Sequence, residues 1–202
     1  MRLILARHGE TDYNRKGISQ CSDKPRLTEL GIRQADGLAE YAAKQGVDVI
    51  FCSPSRRTRQ TLERVLKRVA ASVVLEPLIR EREAGVWIGK SIDEFKAHRE
   101  ALGLAKHEFR PEGGENYADV RERARLFWEK IHPMYAGRTV MLISHSTFNN
   151  ILAGLLLRLS LRESDMGPQD NCSVHELVIE EGKAKTARIN HRHLLDQAPD
   201  EE

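Results

Sequence analysis

Four short apolar runs in this 202-residue sequence each end in residues that can do chemistry. Arg7, His8 and Glu10 follow Leu3 to Ala6, and Ser53, Arg56 and Arg57 follow Val47 to Cys52. Arg80, Glu81, Arg82 and Glu83 come after Ser72 to Leu75, and Ser144, His145 and Ser146 come at the end of Thr139 to Ile143. Arginine forks match two oxygens of a tetrahedral anion. A neutral imidazole can attack phosphorus and hold the phosphoryl group covalently. Transfer also needs positive charge on the equatorial oxygens and an acid for the leaving oxygen, which a carboxyl group can supply. Val86 and Trp87 offer an apolar wall for such a carboxyl. If the four ends converge, the set is adequate for phosphate monoester chemistry with no metal and no cofactor.

The elements that must position these residues alternate in type. Thr28 to Gln45 predicts a helix, capped by Thr28, stopped by Gly46, and turning Leu30, Gln34, Leu38 and Tyr41 to one side. Ser55 to Val69 predicts another, with Leu62, Val65, Leu66 and Val69 inward. Ser91 to Leu102, Glu115 to Met134 and Thr147 to Leu159 complete the helices. Gly103, Pro111, Gly113 and Gly114 mark a loop. Ser173 to Ile179 and Ala184 to Ile189 alternate and predict a hairpin around Glu181-Gly182. Strands alternating with helices predict an α/β fold, a three-layer α/β/α sandwich with a mostly parallel central sheet. Such sheets bind ligands beyond the carboxyl ends of their strands, where the candidate residues lie. One domain over 1–202 is expected, with a lid-like insertion at about 84–114.

Composition removes several classes. Hydrophobic residues are 40% and charged residues 31%, the balance of a globular chain and not of a disordered one. Lys+Arg 32 against Asp+Glu 30 leaves a net charge of +2, so no global field draws nucleic acid or anionic lipid. The longest apolar runs are far too short to span a membrane. Cys21, Cys52 and Cys172 are odd in number and lack CxxC spacing, which argues against disulfides and zinc. The start of the chain carries no signal-peptide core, so a cytoplasmic protein is expected, with a frayed acidic tail from Gln197.

The residues also resemble a known family. Arg7-His8-Gly9-Glu10-Thr11 with Asn14 resembles the RHGxTxxN signature of the histidine phosphatase (phosphoglycerate mutase-like) superfamily. Ser53-Pro54-Ser55-Arg56-Arg57-Thr58-Arg59-Gln60-Thr61 is similar to that family's SPLxRTxQT segment, and Glu81 to Gly89 to its ExxxGxWEG segment. Gly113-Gly114-Glu115 and Ile143-Ser144-His145-Ser146 resemble its GGE and VSHG segments, and Asn171, Asn190 and His193-Leu194 also fit. The resemblance implies that His8 is a nucleophile carrying the phosphoryl group. It implies that Arg7, Arg57 and His145 form the phosphate pocket, and that Glu81 is the acid and then the base. Asn14 would contact the phosphoryl group and Gln20 the substrate, although Cys21 replaces the usual glycine beside Gln20. Ser146, in place of glycine, would put a side chain at the pocket floor. The implied activity is hydrolysis of a small phosphorylated metabolite, such as a sugar phosphate. The fructose-2,6-bisphosphatase branch is the nearest in pattern, and a mutase, which carries a longer insertion after the catalytic Glu, is the alternative.

Other readings of the same residues are weaker. Glu83 competes with Glu81, and only the alignment of Gly85 favours Glu81. Arg56, Arg57, Arg59, Arg64, Lys67 and Arg68 read first as a solvated helix face, and only Arg57 matches the family position. His175, His191 and His193 read as surface histidines, not metal ligands. Cys52 is a buried strand-end residue and not a nucleophile, because the position an arginine would need is Thr58. Ala84 to Ser91 satisfies a relaxed nucleotide-loop pattern, but Val86, Trp87 and Ile88 are too bulky to let backbone N–H groups reach a phosphate. A phosphate-binding module without catalysis is the remaining class.

Overall fold

Strands that are apolar along their whole length must be covered on both faces. The computed structural model describes residues 1–20 and 23–192, and its chain meets that requirement. The first half contains β1 (Arg2–Arg7), α1 (Asp12–Arg15), α2 (Glu29–Ala43), β2 (Val49–Cys52), α3 (Arg56–Val65) and β3 (Ser72–Leu75). The second contains α4 (Ile92–Ala101), α5 (Tyr117–Ile131), β4 (Thr139–Ser144), α6 (Ser146–Leu156), β5 (Val174–Glu180) and β6 (Lys183–His191). The strands form one sheet in the order β3-β2-β4-β1-β5-β6. β1 to β4 are parallel, while β5 runs antiparallel to β1 and β6 to β5.

Alternate residues of the same strands serve two cores, as the period of two demands. Leu3, Leu5, Phe51 and Leu142 pack with Phe127 of α5 and Phe148 of α6. Ile4, Ala6, Ile50 and Met141 pack with Leu38 of α2 and Val65 of α3. The architecture is therefore the expected α/β/α sandwich with a mixed, mostly parallel sheet. β1 lies between β4 and β5, so its carboxyl end abuts that of β4, and Arg7 is paired with Ser144. The late hairpin turns at Glu181 (φ 51°) and Gly182 (φ 73°), the pair of left-handed residues that a two-residue turn needs.

Several boundaries move for identifiable reasons. The helix expected from Glu115 starts at Tyr117, because Asn116 caps it in a reciprocal box with Asp119. That leaves the Glu115 carboxylate to bind Arg123 and Arg80. Leu30 and Leu66, expected to face inward, are 42% and 41% exposed. α2 buries Gly31, Ala35, Leu38, Ala39, Tyr41 and Ala42, so Leu30 lies off its buried face. Cys21, His193, Leu194 and the acidic tail lie outside the described residues. No helix among the described residues is long and apolar enough to cross a membrane.

His175 is a correction. It was expected at the surface, yet it is 1% exposed, because β5 is an interior strand and His175 sits opposite Leu5. Its Nδ1 accepts from the Asn190 backbone N–H at 2.9 Å, so the ring proton is on Nε2 and donates to Asn150 Oδ1 at 2.8 Å. Burial pushes its pKa down to about 4. The unfolded chain therefore binds a proton that the native state refuses between pH 6.5 and 4, and stability falls as pH falls through that window. The loss from this group reaches about 3 kcal/mol at the acid end. Urea unfolding at pH 7 and pH 4.5 should show a smaller loss for His175→Gln than for the wild type; equal losses would mean that His175 is not buried in its neutral form.

Candidate active site

The loop after β1 is held so closely that only glycine fits at two positions. A Cβ on Gly9 would lie 2.5 Å from the Gly31 carbonyl oxygen, and one on Gly31 would lie 2.1 Å from that of Glu10. The start of α2 is thereby clamped to this loop. The Thr28 backbone N–H donates to the Glu10 carbonyl at 3.0 Å, its hydroxyl donates to the Glu10 carboxylate at 2.7 Å, and the Glu10 N–H donates to Gln34 Oε1 at 2.9 Å. From the other side, Asn171 Nδ2 donates to the His8 carbonyl at 2.9 Å. His8 is left 3% exposed with its ring fixed.

Arg57, from the first turn of α3, lies between the two candidate histidines. Its Nε donates to His8 Nε2 at 3.2 Å, and its Nη2 bonds to His145 Nδ1 at 3.1 Å. An arginine cannot accept, so both of those ring nitrogens present lone pairs. The His8 proton is consequently on Nδ1, which donates to the Gly9 carbonyl at 2.8 Å. The His145 proton is on Nε2, which donates to Ser53 Oγ at 2.9 Å. The rings meet edge to face with centroids 5.4 Å apart. Burial, followed by the Arg57 cation, holds both imidazoles well below the ordinary histidine pKa. At neutral pH both are uncharged, and the His8 Nε2 lone pair is ready to bond.

Arg7 lies in the same hollow as His8 and Arg57. Its Nη1 donates to the Gln169 carbonyl at 2.6 Å, while its Nε is buried with no hydrogen-bond partner. A buried donor without an acceptor costs stability, and an incoming oxyanion would satisfy it. Gln169 was missed by sequence reasoning. It is 1% exposed, and its Nε2 donates to the Leu5 and Ser173 carbonyls while its Oε1 accepts from Asn149. A lone glutamine between Pro168 and Asp170 carries no sequence signal of that role.

Glu81 and Glu83 are separated by position. The Glu81 carboxylate accepts from the N–H groups of Thr147 and Phe148, each at 3.3 Å, at the start of α6, and from Arg82 N at 2.8 Å. It lines both the hollow that holds His8 and the adjoining one of about 350 Å³. Glu83 lines the adjoining hollow but not the one with His8, and its backbone is tied to Glu115 in both directions.

Asn14 and Gln20 both line the hollow. Asn14 Oδ1 accepts from the Thr11 N–H and hydroxyl, which leaves its NH2 group to donate. Ser146 departs from expectation and does not line either hollow. As the first residue of α6 its Oγ is turned to accept from Gln169 N at 2.8 Å, and Thr147 takes the wall position. The Ala84 to Ser91 stretch is no phosphate cradle. Gly85 (φ 56°) is spent on close contact with the 112–114 backbone, and Lys90 sits over the Trp87 ring at 5.3 Å.

A cationic hollow with two facing imidazoles, at the carboxyl ends of parallel strands, can take up a phosphoryl anion. A family model described as the histidine phosphatase superfamily (branch 1) matches residues 3–192, and the chain belongs to that superfamily. Phosphoserine phosphatase 1 of Hydrogenobacter thermophilus is 29% identical over 194 residues, which is 94% of this chain and 92% of that protein. Fructose-2,6-bisphosphatase TIGAR B of Danio rerio is 30% identical over 203 residues, which is 96% of this chain and 74% of that protein. The mycobacterial glucosyl-3-phosphoglycerate phosphatase, solved with VO3, aligns with a TM-score of 0.82 at 27% identity, covering 95% of this chain and 98% of that one. Membership and these relatives support an enzyme with phosphatase activity.

If Arg57 meets the phosphoryl group, Arg57→Ala should weaken inhibition by inorganic phosphate by about tenfold or more, since a charged hydrogen bond is worth about 1.5–3 kcal/mol. Competition kinetics measure this, and unchanged inhibition would place Arg57 outside the phosphate site.

Proposed function

We propose that the protein hydrolyses a phosphate monoester of a small metabolite through a phosphohistidine on His8. The observation that carries this reading is the fixed tautomer of His8: its Nδ1 proton is donated to the Gly9 carbonyl, so Nε2 is unprotonated and its lone pair, which accepts from Arg57 Nε in the resting site, can attack once that arginine turns to the phosphoryl group. Nε2 attacks phosphorus while the ester P–O bond breaks. Arg7 and Arg57 meet the oxygens that gather charge, so neutralisation needs no metal. Glu81, as the acid, gives its proton to the leaving oxygen. Water then attacks the phosphohistidine, Glu81 takes its proton, the N–P bond breaks, and phosphate leaves with His8 restored. His145 supports the same step through Arg57, which it orients with its Nδ1 lone pair. Asn14 and Gln20 stand where they can contact the bound ester.

The test is turnover of an aryl phosphate in the presence of EDTA, with acid-quench trapping of the protein. His8→Ala should lose activity by about a thousandfold or more and form no acid-labile phosphoprotein. Wild-type activity in that variant would remove the mechanism, and a return of the phosphoryl group to an acceptor alcohol instead of water would favour a mutase. Glu81→Gln should slow phenyl phosphate more than 4-nitrophenyl phosphate, because the better leaving group needs less proton assistance. If Glu83→Gln gives that pattern and Glu81→Gln does not, the acid is Glu83.

A further inference from the structure

The hollow that holds His8 extends past the phosphoryl-binding groups, and its remaining wall is unlike them. Ile18, Ala84, Ile92 and Phe95 line it, together with two further cations, Arg82 and Lys106. Phe95 is fixed in place, since its ring meets Trp87 at 5.5 Å and Phe109 at 5.4 Å. Asn14, Ser19, Gln20 and Thr147 also line this hollow, and beside these polar groups Ile92 and Phe95 offer surface that would receive an apolar or aromatic group.

The charges point further. Among the described residues, that hollow is lined by four cations, Arg7, Arg57, Arg82 and Lys106, against the carboxylate of Glu81. With Glu81 protonated for its role as acid, a phosphoryl dianion offsets two of these charges, and Lys106 is already paired with Asp165, so a second anion would take Lys106 in exchange for that carboxylate. Lys106 is the cation able to move to it. Its ammonium rests on Asp165 Oδ1 at 2.5 Å, and its side chain is 37% exposed on a flexible four-carbon stem. The same Asp165 oxygen also accepts from the Tyr117 hydroxyl at 3.2 Å, so Asp165 retains a donor when Lys106 turns inward. Arg82 has no such freedom, because its Nε and Nη2 are bound to the Glu115 and Phe109 carbonyls at 2.7 and 2.8 Å.

Resting on the phosphatase reading above, we infer that the alcohol released by this enzyme carries a carboxylate, received by Lys106, on an apolar or aromatic body that lies along Ile92 and Phe95. Lys106 is then a specificity-determining residue. The test uses 3- and 4-carboxyphenyl phosphate beside the matching carboxamides, which share their shape but lack the charge. For at least one isomer the wild type should prefer carboxylate over carboxamide by about tenfold in kcat/KM. In Lys106→Gln that preference should fall below about threefold. Hydrolysis of all four without discrimination, or a preference that survives Lys106→Gln, overturns this inference alone. Hydrolysis of none of the four while 4-nitrophenyl phosphate is turned over also overturns this inference alone, and no turnover of any of the five overturns the phosphatase reading and this inference with it.

Discussion

A guanidinium buried between two uncharged imidazoles is the interaction on which the rest of this structure depends. Arg57 is 3% exposed and gives one hydrogen bond to each histidine. Burial and a neighbouring cation both disfavour the imidazolium form, so the two effects reinforce one another in keeping the rings neutral. The neutral rings in turn offer the cation lone pairs that protonated rings would lack. A buried positive charge without full solvation is costly, and the cost falls when an anion enters. The positive charge in the hollow and the neutral state of the His8 ring thus have one physical origin.

Everything around this pair serves to hold it still. Gly9 and Gly31 let α2 press against the loop that carries His8. Ser53 fixes the His145 ring, and the first N–H groups of α6 fix Glu81. Gln169 ties β1, α6 and the start of β5 to the carbonyl that Arg7 uses. All of these contacts but that between Gln169 and Ser173 join residues 20 or more positions apart in sequence, as a parallel sheet with its ligand crevice at strand ends requires.

The sequence was most informative where a residue type and a strand end coincided. Arg7, His8 and His145 stand directly after apolar runs, and the sheet brings them together because β1 and β4 are neighbours. Arg57 was one of several candidates near a strand end and read by helix spacing as part of a solvated face; only the family pattern singled it out, and it is 3% exposed. Leu30 misled because α2 buries its alanines with Leu38 and Tyr41, and Leu66 because it is the cap that ends α3 after Val65. His175 misled because alternation in β5 marks a surface only when the strand has an open face, and this face is covered by α6. Ser146 and Gln169 were opaque for a shared reason. Their hydrogen bond to each other depends on the path of the chain between α6 and β5, which no local signal encodes.

The final hairpin has a consequence for the birth of the protein. Asn190, on β6, accepts from the Asp170 N–H and the Ser173 hydroxyl, bracing the turn that presents Gln169 to Arg7 and Asn171 to His8. A ribosome that has made the chain through His145 has already supplied both imidazoles, Arg57 and Glu81. The brace arrives only after translation has passed Asn190. A growing polypeptide that has not reached Asn190 therefore bears the reactive groups without the brace on the turn that meets them.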